Sequence, residues 1–533
     1  LIGKWQPWHE GHTSLFRQAI ESHGQVTIVC QALDPDVDEV VYDFEETAHL
    51  IRAILEEEGF TLGSDYIIMQ LPRIAEISAG AEPDYNLINY EDVDHAVVKA
   101  REAFDQGHWS KLHPSERKQA LIKLSKLIKR NIQELAVMES IDSGKPIRDC
   151  ATIDLPETID CLLWHAEAVD KIYDQTAPAG EDALAVIVRE PIGVVGCVLP
   201  WNFPLLMLAW KIAPALAAGN SVIVKPAEQT SLTALRLAEL AMDAGIPRGV
   251  LNVIPGMGPD VGEPLGLHPD VDMVSFTGST ETGRRFLRYS ADSNLKKIVL
   301  ECGGKNPAIV LDDAEDLDLV AEHIVNASFW NMGENCSANS RLIVQESIKD
   351  ALLEKMLAHL RDWKTGDPLD PSNYLGSLVD DEHFKKVCSY LKNDNIITGG
   401  KTEKPNYVLP TIFDNVDPDS KLAQEEIFGP ILSVITVKSF DEAIAVANNT
   451  EYGLAASVFT ANGKKAIRAA RAIKAGTVTV NCYGEGDMST PFGGYKQSGF
   501  GGRDNSIHAH DQYTELKTIW IDLSDRAPEE SVD

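Results

Sequence analysis

Val194-Val-Gly-Cys-Val-Leu199 runs into Pro200-Trp-Asn-Phe-Pro204, then into the apolar run Leu205 to Ala218, and then into Ser221-Val-Ile-Val-Lys225. The first and last runs are short and rich in β-branched residues, as strands buried on both faces of a parallel sheet are. The middle run is too long for a strand and reads as a helix. Strand, helix, strand at this spacing predicts a doubly wound α/β sheet. Ligands of such sheets bind at the carboxyl ends of the strands, which is where Lys225 and Glu228 fall.

Outward from this unit the pattern repeats. Upstream, Ala185 to Arg189 is β-rich and is joined to Val194 through Pro191-Ile-Gly193. Downstream, Val271 to Phe276 reads as a strand, and Gly278-Ser-Thr-Glu-Thr-Gly283, which is not GxGxxG, opens the following helix. Lys297-Ile-Val-Leu-Glu301-Cys-Gly-Gly304 places a carboxylate where a strand ends in a flexible turn. Phe329-Trp-Asn-Met-Gly-Glu-Asn-Cys336-Ser-Ala-Asn-Ser-Arg341 places a thiol after a Gly-containing turn, between a helical run (Leu319 to Trp330) and a strand-like run (Arg341 to Val344). A thiol so placed can face a cleft, where a lowered pKa makes it a nucleophile.

Bulk properties bound the answer. The 533 residues suffice for three or four domain-sized units, and 44% hydrophobic with 24% charged residues is an ordinary globular balance. A formal charge of −33 argues against nucleic acid and anionic membranes as partners. No apolar run reaches the ~18 residues of a membrane span. The opening Leu1-Ile-Gly-Lys-Trp5 lacks the basic and apolar regions of a signal peptide, so none is expected. The eight cysteines show no CxxC and no Cys/His ligand spacing, so no disulfide framework and no metal site is expected, and a reducing cytoplasm is the default.

Trp201-Asn-Phe-Pro204, Lys225-Pro-Ala-Glu228, Phe276-Thr-Gly-Ser279, Glu301-Cys-Gly-Gly-Lys305 and the Cys336 stretch, in that order, resemble the aldehyde dehydrogenase superfamily from about Glu91 to Leu523. The resemblance implies a Rossmann-like cofactor domain (85–300, with an oligomerisation hairpin near 173–190). It implies a catalytic domain (301–475), and a return to the cofactor domain with an oligomerisation strand (476–523). An acidic tail (524–533) completes the chain. It implies NAD-dependent aldehyde oxidation. Cys336 would attack the aldehyde, the Asn202 amide and the Cys336 N–H would hold the oxyanion, and Glu301 would activate the hydrolytic water. Lys225 and Glu228 would hold the adenosine ribose, with a carboxylate there favouring NAD over NADP. Gly278 and Ser279 would face the pyrophosphate, Glu426 would bind the nicotinamide ribose, and Phe428 and Trp201 would complete the cofactor site. The Thr514 to Leu523 strand, with the hairpin, implies a homo-oligomer, dimer or tetramer.

The substrate reading rests on aromatics and local resemblance. Trp210, eight residues after Asn202, and Trp330 are candidate walls, and aromatic walls suit a cationic aldehyde. Cys336 to Val344 resembles betaine and aminoaldehyde dehydrogenases. Gly486 to Gly499, with Glu515-Leu-Lys-Thr-Ile-Trp520, resembles γ-glutamyl-γ-aminobutyraldehyde dehydrogenases. An ω-aminoaldehyde or a derivative is therefore expected. Cys302 and Cys482, the latter in an expected strand Thr477 to Cys482, read as buried packing residues.

Residues 1–80 read differently. A short strand, His9-Glu-Gly-His12, a helix (Thr13 to Ser22) and strands Gln25 to Cys30 and Tyr66 to Leu71 resemble HxGH nucleotidyltransferases, whose His9 and His12 would hold phosphate oxygens. The segment stands where dehydrogenases usually carry small strands. The leading reading is a dehydrogenase carrying a degenerate nucleotidyltransferase-like N-terminus as a structural module, and the alternatives are a bifunctional transferase and dehydrogenase, or a non-catalytic assembly protein.

Overall fold

The computed structural model describes residues 2–3, 16, 26–31, 44–57, 60, 66–71, 90–392, 395–484 and 486–524. The chain separates into two compact units, one chiefly Leu1–Asn86 and the other most of the remaining chain. In the first, Ile2–Gly3, Val26–Gln31 and Tyr66–Leu71 form a parallel sheet in that order. Ile51 and Leu55 of the Phe44–Glu57 helix are fully buried, and the Phe16 and Phe60 rings meet edge to face at 5.0 Å. His9, His12, most of the expected Thr13–Ser22 helix, the 81–85 junction and the tail beyond Ser524 lie outside the described residues.

Two sheets dominate the second unit. The first has six strands in the order Gly499–Phe500, Lys297–Glu301, Met273–Thr277, Val194–Val198, Ser221–Lys225, Leu251–Val253. All but Gly499–Phe500 are parallel. The chain runs outward from Val194–Val198 through two strands, then returns to its other side. The order therefore reverses between Val194–Val198 and Met273–Thr277, and a crevice opens at their carboxyl ends. The Pro204–Ala218 helix is buried at every residue, which explains why its sequence shows no polar stripe.

The second sheet has seven strands, in the order Ile396–Thr398, Thr411–Phe413, Ile431–Val437, Arg341–Gln345, Pro307–Val310, Ala455–Phe459, Thr477–Val480. It takes up Thr477–Val480, just past the expected limit of the catalytic domain at 475. Only the Cys302–Asn306 segment separates Lys297–Glu301 of one sheet from Pro307–Val310 of the other. The expected strand to Cys482 stops at Val480. Asn481 adopts φ +56°, and its side chain bonds Thr460 N (2.9 Å) and Thr460 O (3.1 Å), which turns the chain off the sheet. Cys482 is consequently exposed, not buried as expected.

A third, antiparallel sheet pairs Thr514–Asp522 with Ala183–Pro191, and Ala183–Pro191 with Gln175–Ala177. Thr514–Asp522 is its edge, with Leu516 68% and Trp520 63% exposed. Among the described residues no helix is long and apolar enough to cross a membrane.

Candidate active site

Cys336 is half-buried on a loop whose backbone is unusual. The Leu317–Phe329 helix gives way to Asn331, Met332 and Gly333 with φ of +53°, +55° and +69°. Three successive left-handed residues are costly, more so at Met332 than at asparagine or glycine. Hydrogen bonds and close packing hold them. Asn331 Nδ2 donates to Asn202 O (3.2 Å) and Glu334 O (2.9 Å). A side chain at Gly333 would strike the Gly429 carbonyl.

Asn202 follows the Val194–Val198 strand at the switch point. Its Nδ2 donates to Glu334 O at 2.9 Å, tying the amide to the loop two residues before Cys336. The next helix has no side-chain cap of its own at Phe203. Glu139 supplies one from a distance: its Oε1 accepts from Leu205 N (2.9 Å) and Thr233 Oγ1 (2.6 Å). Burial raises the Glu139 carboxyl to about 8.

The Cys302–Asn306 crossing brings the base side of the site to the same loop. Asn306 Nδ2 donates to Cys336 O at 2.7 Å, and a Cβ at Gly304 would press on that carbonyl. Glu301, at the strand end before the crossing, is 4% exposed, and neither carboxylate oxygen has a well-formed hydrogen bond. Its pKa lies well above the usual range because of burial first, then Asp504, while Lys211, Arg503 and, least, the Gly494 N–H pull it down. Lys211 Nζ and Asp504 Oδ2 form a fully buried ion pair at 2.7 Å. Cys302, beside Glu301, is buried in the core as expected, its thiol pushed up to about 12.

Of the expected cofactor residues, Lys225, Glu228, Gly278, Ser279 and Trp201 lie at or just past the carboxyl ends of strands, and Glu426 and Phe428 lie in the loop before Ile431–Val437. Lys225 Nζ and Glu228 Oε2 pair at 2.8 Å beyond Ser221–Lys225. Gly278 N donates to Glu301 O (3.0 Å), and Ser279 caps the Thr280–Ala291 helix by accepting from Thr282 N. Glu426 Oε1 accepts from Gly304 N at 2.8 Å, and its carboxylate fills the space where a side chain on Gly303 would lie. Trp201, Phe428 and His383 form one aromatic cluster, with centroids 5.0 to 6.1 Å apart. His383 donates through Nε2 to Phe428 O (2.6 Å), and burial holds its pKa near 4. This set fits an extended ligand with ribose hydroxyls and a pyrophosphate: strand ends at a switch point, a capped helix N-terminus, and carboxylates at two separate places.

The substrate aromatics are less alike than the sequence suggested. Trp330 is partly exposed and packs on Phe203 at 5.4 Å. Trp210 is only 3% exposed and packs edge to face on Phe492 at 5.3 Å, so it backs the site and offers little open wall. Sequence reading missed Lys211, Asp504, Asn306, Asn331 and His383. Of these only Lys211 carried a signal, as the one charge inside an apolar helical run.

Residues 83–519 match the profile of the aldehyde dehydrogenase family. The chain belongs to that family. It is 66% identical over 439 residues to aminoacetaldehyde dehydrogenase of Pseudomonas aeruginosa, covering 81% of this chain and 88% of that one. It is 46% identical to the NADP/NAD-dependent aldehyde dehydrogenase PuuC of Escherichia coli, over 81% and 88%. Among solved structures, γ-glutamyl-γ-aminobutyraldehyde dehydrogenase of Burkholderia cenocepacia superposes with a TM-score of 0.80 at 50% identity, over 81% of this chain and 89% of that chain. Indole-3-acetaldehyde dehydrogenase of P. syringae, in complex with NAD+, superposes with 0.81 at 50% identity, over 82% and 90%.

Proposed function

We propose that this aldehyde dehydrogenase oxidises an aminoaldehyde to its acid with NAD. The observation that carries the reading is that two other segments are tied to the Cys336 loop. Asn202 Nδ2 reaches Glu334 O, and Asn306 reaches Cys336 O across the short crossing from Glu301. The Cys336 sulfur adds to the carbonyl carbon and the displaced π electrons rest on oxygen. The Cys336 N–H and the second N–H of Asn202 receive that charge. Lys225 and Glu228 would hold one ribose, Gly278 and Ser279 the pyrophosphate, and Glu426 the other ribose, with Trp201 and Phe428 beside it. When bound, NAD supplies the hydride acceptor. Glu301, made a stronger base by its burial, then takes a proton from the water that cleaves the thioester.

The aminoaldehyde class is supported by the names of two relatives, an aminoacetaldehyde dehydrogenase and a γ-glutamyl-γ-aminobutyraldehyde dehydrogenase. Preference for NAD is supported by Glu228, whose carboxylate would repel a 2′-phosphate. The exposed apolar edge of Thr514–Asp522 supports strand-paired association with a second copy. For residues 1–80 the parallel order Ile2–Gly3, Val26–Gln31, Tyr66–Leu71 fits a Rossmann-like α/β unit, of which the nucleotidyltransferase-like reading is one case.

The test is NADH formation by the purified chain with aminoacetaldehyde or γ-aminobutyraldehyde, beside Cys336→Ala and beside a plain aliphatic aldehyde. Turnover that favours the amino substrates and vanishes in the variant is expected. Activity surviving in Cys336→Ala would sink the mechanism, and better use of the aliphatic aldehyde would sink the substrate class.

A further inference from the structure

We propose that Tyr483 is a positioning residue for the Cys336 peptide, acting through Asn335 and Ser337 to aim the Cys336 N–H at the developing oxyanion. The inference rests on the reading of Cys336 as the nucleophile.

Asn335 and Ser337 flank Cys336, and both are buried. Asn335 Oδ1 accepts from Ser337 N (3.0 Å) and from Ser337 Oγ (3.0 Å), so one side chain bridges over the nucleophile. Asn335 Nδ2 donates to the Tyr483 hydroxyl at 2.9 Å, and that hydroxyl lies 3.4 Å from Ser337 Oγ. Either hydroxyl of that last pair can be the donor. Asn335, Ser337 and Tyr483 thus form a ring of hydrogen bonds about the loop. Tyr483 reaches it from a separate element. It follows the left-handed turn at Asn481, which Thr460 fixes by two bonds, while Thr479 Oγ1 holds Cys482 O at 2.8 Å.

The chemistry says why this ring would matter. When sulfur adds to the carbonyl, an S–C bond forms and the C=O π pair moves to oxygen; nothing is oxidised in that step. A peptide N–H serves that oxygen only if its direction is already set, because the value of such a donor lies in its preorganisation. The residue before and the residue after Cys336 are both held by the ring, so the intervening peptide has little freedom to turn.

Tyr483→Phe keeps the aromatic ring and removes the hydroxyl. Three reactions of the full-length variant separate the cases: aldehyde oxidation, acylation of Cys336 by 4-nitrophenyl acetate, and alkylation of Cys336 by iodoacetamide across pH, with peptide mapping of the product. The first two build charge on a carbonyl oxygen; displacement of iodide does not. We expect kcat and the acylation rate to fall together by about five- to tenfold, with KM within about twofold. The alkylation rate and its pH profile should match the wild type. Ser337→Ala should act alike, and the double variant should add little to either single change. Unchanged oxidation and acylation, or alkylation falling in parallel with them, would overturn the assignment. Turnover persisting in Cys336→Ala would instead overturn the nucleophile reading and this one with it.

Discussion

The loop that carries Cys336 and the pocket that carries Glu301 meet across the Cys302–Asn306 crossing, yet different forces build them. The loop is held mainly by amide, hydroxyl and carbonyl groups: Asn331 on Asn202 and Glu334, Asn306 on the Cys336 carbonyl, and Asn335 with Ser337 and Tyr483. The base pocket is held by charge: a buried carboxylate without good hydrogen bonds, beside a fully buried lysine and aspartate. Neutral bonds fix geometry at any pH. Buried charges fix a pKa and make the pocket respond to pH, and the loop shares that response only through Glu334, whose burial raises its carboxyl.

Glu301→Gln should break the comparison most sharply. Loss of the base is expected to slow turnover by about 10²- to 10⁴-fold while a first acylation of Cys336 survives, visible as a burst. Its sign with pH is opposite for activity and stability. The Glu301 pKa is raised, so activity should climb as pH rises through it and the carboxylate forms. Stability falls with rising pH, because the folded state prefers the protonated form. That decline runs from the ordinary carboxylate range up to the raised folded pKa, and Glu301→Gln should lose it in unfolding curves measured across pH.

Asp504→Asn should come next. It leaves Lys211 buried without its partner, at a cost of roughly 3–5 kcal/mol in denaturant unfolding. Because Asp504 pushes Glu301 upward, the rising limb of the pH–rate profile should also move to lower pH. A limb that stays put would mean that Asp504 acts only through structure.

Asn331 probes the neutral half. Asn331→Ala removes two hydrogen bonds at a left-handed position and should cost about 2–4 kcal/mol, with kcat falling and the pH limb unmoved. Asn331→Gly spares the backbone and should lose only the hydrogen-bond share. Glu228→Ala should have the smallest effect. A half-exposed carboxylate repels weakly, so kcat/KM with NADP should rise about fivefold relative to NAD. No rise would place the cofactor choice elsewhere.

Much of this was legible in the sequence, for a physical reason. Strands buried on both faces must be apolar, so Val194–Val198, Ser221–Lys225 and Arg341–Gln345 announced themselves. Cys336, Glu301 and Asn202 stood at the ends of such runs. The features that stayed hidden depend on through-space pairing or on backbone dihedrals. Lys211 looked like an irregularity in a helix until Asp504 lay against it. Met332 gave no hint of a positive φ, which tertiary packing imposes. Cys482 followed a β-rich run to its apparent end, but Asn481 had already turned the chain. The HxGH stretch was legible as a pattern, though His9 and His12 lie outside the described residues.

The Lys211–Asp504 pair spans 293 residues, and the same separation joins Asn220 Nδ2 to Tyr513 O. During synthesis at about 5–20 residues per second, the Pro204–Ala218 helix would wait roughly 15–60 s for the partner of its only charge. Until then it is an apolar segment with an uncompensated ammonium, the kind of surface that chaperones retain. The first sheet of this enzyme can therefore start to assemble early on the ribosome, but its central helix is completed only when almost the whole chain has emerged.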